Sequence, residues 1–591
     1  MSRLVNPTDL SFLLNDVFAM GNLAEFTRYQ DYDAEAMNSV LAMAEKIAES
    51  DFLPHNSKAD ANEPTFDGET ITTIADVKVA WQKYAESGLL SARHDYDAGG
   101  MQLPALLSMA CNSYFMAANP ATAAYPFLTT AAANVIQAFG NAEQKAHFLP
   151  GMFSGRFAGT MALTEPDVGS SLGDLATKAK PHNDGTYRLS GQKMYISGGD
   201  QDITENIVHL VLARIEGASA GVKGISMFIV PKFLVTDAGD IGARNDVQLA
   251  GLLHKMGYKG TTSTVLSFGE QDNCVGYLVG EAGRGLQYMF KMMNEARVGV
   301  GLGAAMIGYR GYLESLAYAK ERPQGRRVSN KDPESKPVAI IEHADVRRML
   351  LQQKAYVEGS LALCLLAARL VDEHEAGGDA ESGILLDLLT PIVKSYPSFY
   401  GPRANDLAIQ VLGGAGYIRE YPVEQCYRDN RLNPIHEGTH GIQGLDLLGR
   451  KLWQHEAKGQ KLLLGRIQNT LMMASAYPEL GELVKRYQIA LKPYMETTLE
   501  LGQALLGGDA EKTLANASVY LDVMGKYVVG WLWLEMAVKA LANKTLAPEF
   551  VQGKIAAARY FMRWELAEAE VHLQRLKEQD DSWFSIENEW L

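Results

Sequence analysis

Cysteine is scarce. There are four, Cys111, Cys274, Cys364 and Cys426, far apart and without a CxxC pair. That excludes a disulfide framework and fits a reducing compartment. Long apolar runs are missing too: the most apolar helical stretch, 527–541, is too short for a membrane span and carries Glu535 and Lys539. Positive charge is in deficit, with 55 Lys and Arg against 70 Asp and Glu, a net charge of −15. Such a chain is a poor match for nucleic acid or for anionic membranes, although it leaves room for a local basic pocket for a phosphate-bearing ligand. The first residues, MSRLVNPTDLSFLLNDVF, carry Asp9 and Asp16 and show no secretory pattern. A Walker A sequence is absent, and Gly413-Gly414-Ala415-Gly416 follows a helical pattern, not the strand a Rossmann fingerprint needs. These absences predict a cytoplasmic chain with no integral membrane segment and no nucleic-acid partner.

At 591 residues the chain is too long for one ordinary core, and three or four domains are expected. Apolar residues recur at helical spacing over 33–50 (Met37, Val40, Leu41, Ala44, Ile47, Ala48), over 77–87, and over 101–139 with breaks near Asn119-Pro120 and Pro126. The pattern then turns to alternation, which predicts short strands at 157–163, 187–189, 194–196, 207–213, 225–230, 263–268 and 275–279. Helix returns over 285–322, thinned on one side by Gly299, Gly303, Ala304 and Gly311. It continues over 346–373 and 384–412, after a loop at 323–337. Long amphipathic helices follow at 483–506, 510–542 and 550–577. The fold class expected is multidomain α+β. It has an N-terminal α-helical domain (1–157), a small middle antiparallel β-sheet or barrel domain (158–281) and a C-terminal helical bundle with the catalytic loop (282–455). An additional helical domain (456–591) follows, read as a packing or assembly domain without a catalytic constellation.

The stretch with most chemistry is Asn433-Pro434-Ile435-His436-Glu437-Gly438-Thr439-His440-Gly441-Ile442-Gln443. It sets one carboxylate, Glu437, in a short loop among apolar and glycine residues. Desolvation keeps such a carboxylate basic, which suits proton abstraction from carbon. A solvated loop glutamate is the plain alternative. The same letters spell His-Glu-x-x-His, which grips zinc only on a helix, where both histidines share a face. Pro434, Gly438 and Gly441 argue against that helix. Gln443 and Asp446 break the longer metzincin pattern, and Glu456 is the remaining conceivable third ligand. No metal is expected.

Four motifs occur in order: Met161-Ala162-Leu163-Thr164-Glu165-Pro166-Asp167-Val168-Gly169-Ser170-Ser171; Gly191-Gln192-Lys193-Met194-Tyr195-Ile196-Ser197-Gly198-Gly199; Gln410-Val411-Leu412-Gly413-Gly414; and Ile435-His436-Glu437-Gly438-Thr439. With the helix–strand–helix order, residues of roughly 30 to 455 resemble the flavin-dependent acyl-CoA dehydrogenases. The C-terminal addition resembles the larger bacterial branch, which includes 3-methylmercaptopropionyl-CoA and fatty acyl-CoA enzymes. The resemblance implies FAD as cofactor, an acyl-CoA substrate, an electron-transfer flavoprotein as acceptor, and a homodimer or dimer-based oligomer. It implies α,β-dehydrogenation in fatty-acid β-oxidation or related catabolism, with Glu437 as base. Its backbone N–H, with a flavin hydroxyl, would hold the thioester oxygen. By the same resemblance Met161, Leu163, Thr164, Gly169, Ile196 and Ser197 would meet the flavin, Thr439 its adenine-diphosphate side, and Arg322, Gln324, Gln410, Gly413 and Gly414 the FAD of a neighbouring subunit. Ser170, Asn294, Arg297 and Gly438 would face the substrate. Read singly, Thr164 is also a plain strand former, Arg322 a helix-end cation, Ser170 a turn residue and Gln410 a solvated helix face.

There are departures from the family pattern. His436 stands where tyrosine is frequent, Tyr195 where tryptophan is frequent, and Gly441 where many relatives have glutamine. Some branches carry the base directly before the arginine of the earlier helix. Here that position is Ala296, and Glu295, one residue off, should face elsewhere. Bulky Tyr288, Met289, Phe290, Met292 and Met293 lie near the implied substrate channel. The rival readings are an acyl-CoA oxidase using oxygen, a zinc hydrolase through His436, Glu437 and His440, and a non-catalytic CoA-binding or scaffold protein.

Overall fold

The computed structural model describes residues 4–508 and 510–591, and every side chain among these except Lys291 and Met292. Contacts divide it into two compact units: Ser39–Leu103 with Tyr114–Gly299, and Pro104–Ser113 with Val300–Leu591 and the chain up to Asn38.

In the first of these units, helices α1 (Pro120–Phe139) and α2 (Ala142–Phe153) precede eight strands. These are β1 (Phe157–Ala162), β2 (Lys178–Pro181), β3 (Tyr187–Ser197), β4 (Asn206–Ile215), β5 (Ile225–Pro231), β6 (Val247–Leu252), β7 (Ser263–Phe268) and β8 (Cys274–Leu278). The sheet order is β6-β7-β3-β8-β5-β4-β1, and β2 pairs with both β3 and β4. That second pairing closes a five-strand ring, β3-β8-β5-β4-β2. Its interior is filled by Ala179, Leu189, Val211, Ala213, Phe228 and Val230. Period two sends the alternate residues outward (Val208, Leu210, Leu212, Met227, Ile229), and these pack with Val135 and Ile136 of α1 and Phe148 of α2. The expected small barrel is therefore present, but it is mixed: β1 and β2 both run parallel to β4.

Local expectations fail where tertiary packing overrides a sequence signal. α1 passes through Pro126 unbroken, because the residues around it are buried and only one backbone N–H is lost. The predicted strands 187–189 and 194–196 are one strand, β3. The charged β2 and the half-exposed β6 carry no clear alternation and escaped prediction. The helical pattern read from 101 begins at Ala105.

In the other unit the long helices are α3 (Gly285–Glu321, from Val300 onward), α4 (Ala344–Glu375) and α5 (Ala380–Leu412). The short α6 (Val423–Asn430) and α7 (His440–Asp446) flank the Glu437 loop. The C-terminal region forms α8 (Gln454–Ala474), α9 (Gly481–Leu506), α10 (Ala517–Ala542), α11 (Pro548–Arg563) and α12 (Glu565–Glu578). The two helices expected over 510–542 and 550–577 are each interrupted, before Ala517 and at Trp564. α8 was not predicted, and it begins with three left-handed residues, His455, Glu456 and Ala457. No helix of the described residues is long and apolar enough to cross a membrane.

Of the small residues expected to thin α3, Ala304 and Gly311 meet α5, joined there by Gly301, whereas Gly299 meets the Phe127 ring of α1. A Cβ at Gly301 would stand 2.1 Å from the Val393 carbonyl oxygen, and one at Gly401 would stand 2.5 Å from that of Ala304. Pro397 of α5 lacks the N–H that would bond the Val393 carbonyl within the helix. Gly301→Ala should therefore lower stability by ~1–3 kcal/mol through overpacking. Gly465→Ala, in α8 with nothing within 4 Å of its added carbon, should be neutral or raise stability by up to ~1 kcal/mol. Urea unfolding of the two variants side by side checks the contrast, and equal midpoints would count against the close approach.

Candidate active site

The loop between α6 and α7 has no regular backbone ladder, yet Asn433 and Gln443 are buried and Glu437 is half-buried. Its polar groups are held by side chains. Lys394, fully buried in the middle of α5, donates from Nζ to the carbonyl oxygens of Asn433 (2.9 Å) and Gly438 (2.7 Å). Gln443 Nε2 donates to the Glu437 carbonyl oxygen at 3.1 Å. An asparagine series ties the loop to α3. Asn405 donates to the Ile307 carbonyl (3.0 Å), and Asn430 donates to the Ala304 carbonyl (3.0 Å) and to Asn405 Oδ1 (2.7 Å). Asn433 donates to Asn430 Oδ1 at 2.9 Å.

These bonds hold Glu437 in the left-handed region, at φ +54°. For a residue with a Cβ that conformation costs ~1–2 kcal/mol. A hydrogen bond from a charged donor contributes ~1.5–3 kcal/mol, so the two from Lys394 outweigh the strain. Gly438 follows at φ +87°, and a Cβ there would also stand 2.5 Å from Gln443 Nε2. Only glycine suits that position. Thr439 caps α7, its hydroxyl accepting from the Ile442 N–H at 3.4 Å.

This geometry overturns the zinc reading. α7 begins at His440, so His436 and His440 do not share a helical face. The His436 Nε2 lies 3.2 Å from Asn433 Oδ1, and Glu456 sits in the kink that opens α8. Among the described residues no group of three His, Cys, Asp or Glu side chains is arranged to hold a metal ion.

The remaining expected residues fall into two sets. In the unit with Glu437, Arg322, Gln324, Gln410, Gly413 and Gly414 are exposed. They lie at one end of the bundle, where Ala319, Ile340, Ala408, Val411 and Leu412 form a common apolar cluster. The 322–325 segment is fixed by backbone bonds to Val338 and Ile340. Nothing stands within 4 Å of a Cβ added at Gly413 or Gly414, so their main chain is open to an approaching group.

In the barrel unit, Leu163 and Thr164 leave β1 half-buried, and Gly169, Ser170 and Ser197 are exposed. Met161 and Ile196 turn their side chains into apolar cores, so any role of theirs rests on main-chain atoms. Behind this stretch lies a buried ion pair that nothing in the letters announces. Lys193 Nζ donates to Glu165 Oε1 and to the Leu163 carbonyl, both at 2.9 Å. Glu165 also accepts from the backbone N–H groups of Ala176 and Thr177. Burial pushes Lys193 down to about 8, against the pull of Glu165. Burial raises Glu165, but Lys193 and these hydrogen bonds outweigh it and hold the carboxyl below its usual range.

On the first turns of α3, Arg297 is buried and donates to Asn294 Oδ1 at 3.4 Å. Glu295 is half-buried and accepts from Asn134 Nδ2 of α1 at 2.6 Å, and Ala296 is buried. Tyr288 and Met289 are core residues, Phe290 is exposed, Met293 is partly buried, and the side chain of Met292 lies outside the described residues. Tyr195 is left-handed, at φ +59°, and 65% exposed. Lys394, Gln443, Asn433 and the Lys193–Glu165 pair were missed by sequence reasoning. Each acts through a contact distant in sequence or through backbone, and neither leaves a spacing pattern.

Family models match the chain in order: acyl-CoA dehydrogenase N-terminal domain at 34–156, middle domain at 160–270 and C-terminal domain at 283–452. A fourth, acetyl-CoA dehydrogenase C-terminal like, matches 463–587. The 3-methylmercaptopropionyl-CoA dehydrogenase of Ruegeria pomeroyi is 33% identical, over 97% of this chain and 98% of that protein. The chain belongs to the acyl-CoA dehydrogenase family. Its fold also matches two solved structures. An acyl-CoA dehydrogenase of Bacillus anthracis complexed with FAD gives a TM-score of 0.76 at 22% identity, covering 94% of this chain and 90% of that one. Caenorhabditis elegans ACDH-11 in complex with C11-CoA gives 0.76 at 19%, covering 98% and 95%. The match at 463–587 places the C-terminal addition within the family's larger branch.

In this acyl-CoA dehydrogenase the two histidines beside Glu437 make stability depend on pH. Burial, then Lys394, pushes His436 down to about 3 and His440 to about 4, from an ordinary 6.5. Both pKa values are lower in the folded state, so the unfolded chain binds more protons below about pH 6.5. The stability these neutral rings allow is full above that pH and is lost as pH falls towards 4. The urea midpoint should be lower at about pH 5 than at about pH 7.5, and His440→Phe should shrink the difference. An unchanged difference would show that the ring titrates freely.

Proposed function

We propose that this acyl-CoA dehydrogenase carries out FAD-dependent α,β-dehydrogenation of an acyl-CoA thioester in cytoplasmic fatty-acyl catabolism, with Glu437 as the base. The observation that carries the reading is the placement of Glu437. It is the acidic residue of the family's loop motif, half-buried, on a strained backbone whose carbonyls are gripped by buried donors. A group fixed this way meets its substrate without reorganising. Its neighbours His436 and His440 are kept neutral by burial, so neither ring sets a positive charge beside it near neutral pH.

The residues present suit FAD. Thr164 and Ser197 offer hydroxyls at the edge of the barrel unit. Arg322 and Gln324, with Gln410 and the open main chain of Gly413 and Gly414, offer a cation, amides and peptide N–H groups for a phosphate-bearing ligand. Their exposure fits completion by a neighbouring subunit in a dimer. When bound, FAD supplies the two-electron acceptor. The protein's own step is proton transfer: the α C–H bond breaks, the proton passes to the Glu437 carboxylate, and the electron pair is left on the thioester. Ser170, Asn294, Arg297 and the small Gly438 would line the acyl-CoA path.

Purified protein should be yellow and should bleach anaerobically when an acyl-CoA is added. Electron-transfer flavoprotein, not oxygen, should restore the colour, and rapid oxygen consumption would instead favour an oxidase. Glu437→Gln should keep its flavin and lose ~10²–10⁴-fold in turnover. Near-normal turnover would reject the assignment. Arg322→Ala should lower the flavin content of the purified protein, and an unchanged flavin-to-protein ratio would remove Arg322 from the cofactor site.

A further inference from the structure

We infer that Lys394, with Gln443, is a positioning residue for the proton-transfer step, which rests on the reading of Glu437 as base. Lys394 is the buried residue that grips the loop on both sides of Glu437, at the carbonyls of Asn433 and Gly438. Gln443 grips the peptide between them, at Glu437's own carbonyl. The three carbonyls belong to a segment without ladder bonds, and Glu437 is its left-handed residue. A lysine suits the task because its ammonium is a compact donor of three protons and can serve two carbonyls at once. Ser398 holds the α5 turn that carries it, its hydroxyl donating to the Lys394 carbonyl at 2.6 Å. Without the grips, the backbone at 437 returns to the right-handed well and swings the carboxylate away from the reacting carbon. The proton then has no base in reach, although the acyl-CoA still binds.

The test uses the flavin-loaded enzyme. Lys394→Met fills the same space without donors. It should lower kcat by ~10²-fold, the scale of an ångström-sized misplacement, with KM changed by less than about threefold. A second readout separates proton transfer from oxidation: deuterium uptake in D2O at the α-carbon of an acyl-CoA with sulfur in place of the β-carbon, followed by NMR. Uptake should fall in parallel with kcat. Gln443→Leu, from a different helix, should lower both by about tenfold with KM held, and it decides the matter if Lys394→Met does not fold. Normal kcat and normal uptake in either folded, flavin-loaded variant, with Glu437→Gln inactive, would overturn the positioning role and leave the base standing. Turnover retained by Glu437→Gln would remove the base itself. Parallel loss of KM and flavin would mark a general structural role and also overturn the inference.

Discussion

Buried carbonyl groups that no helix or strand can satisfy are the constraint behind this site. The segment between α6 and α7 turns too sharply for a ladder, and water cannot serve all of its inner face. The solution is to bring donors from two helices, Lys394 from α5 and Gln443 from α7. Asn430 of α6 accepts from the Asn433 side chain and links the loop to α3, directly and through Asn405. The reach of these short side chains depends on how closely α3 and α5 approach. Glycine at 301, 308 and 401 sets that distance. Small residues on two facing helices therefore govern the conformation of a loop distant from them in sequence.

The barrel unit solves the same problem with a similar device. Lys193 is buried, bonded to the Leu163 carbonyl, and paired with Glu165, which in turn takes backbone N–H groups. Burying an ion pair is expensive unless its remaining hydrogen-bonding capacity is met. In both places an ammonium meets that demand by holding main chain. Each of the two motifs also carries a left-handed non-glycine residue, Tyr195 in one unit and Glu437 in the other. Tyr195 falls where the β3–β7 register shifts and Glu437 in the loop that Lys394 and Gln443 grip, and strain of this kind persists only where the surroundings over-determine it.

Much of this was legible. Helical spacing gave α3, α4 and α5 with ends within about four residues, because their apolar faces are long. Most of the barrel strands were placed, although β1, β4 and β5 are buried on both faces and so read as continuous apolar runs between turn residues more than as alternation. Glu437 stood out in a loop where Pro434 and Gly438 break the helix on which its two histidines would share a face; Gly441, also read as a breaker, lies within α7. What stayed hidden shares a cause. β2 is charged and pairs on both sides through backbone alone. Proline at 126 is a breaker by local rule but is held by burial. Lys394 reads as one lysine within an apolar helix, and its meaning lies in two carbonyls some forty residues on.

The C-terminal helices extend the same logic. α10 carries a run of wholly buried side chains, Val528, Val529, Leu532, Trp533 and Met536, each worth ~1.5–3 kcal/mol of burial. It lies against the other helices so closely that a Cβ at Gly444 of α7 would stand 2.6 Å from the backbone of Ala517. Tyr400 of α5 donates to Asp522 at 2.7 Å, and Trp533 donates to the Ala355 carbonyl of α4 at 3.1 Å. α11 adds Lys554, buried between Asp9 and Glu358, where Tyr309 of α3 also donates to Asp9. The helices that present Lys394 and Gln443 to the loop thus lean on the extension. In this chain it cannot be a loosely tethered appendage: peeling it away would expose those apolar side chains, leave the buried carboxylates of Asp9 and Glu358 without the Lys554 ammonium, and free α7 at the point where it leaves Glu437.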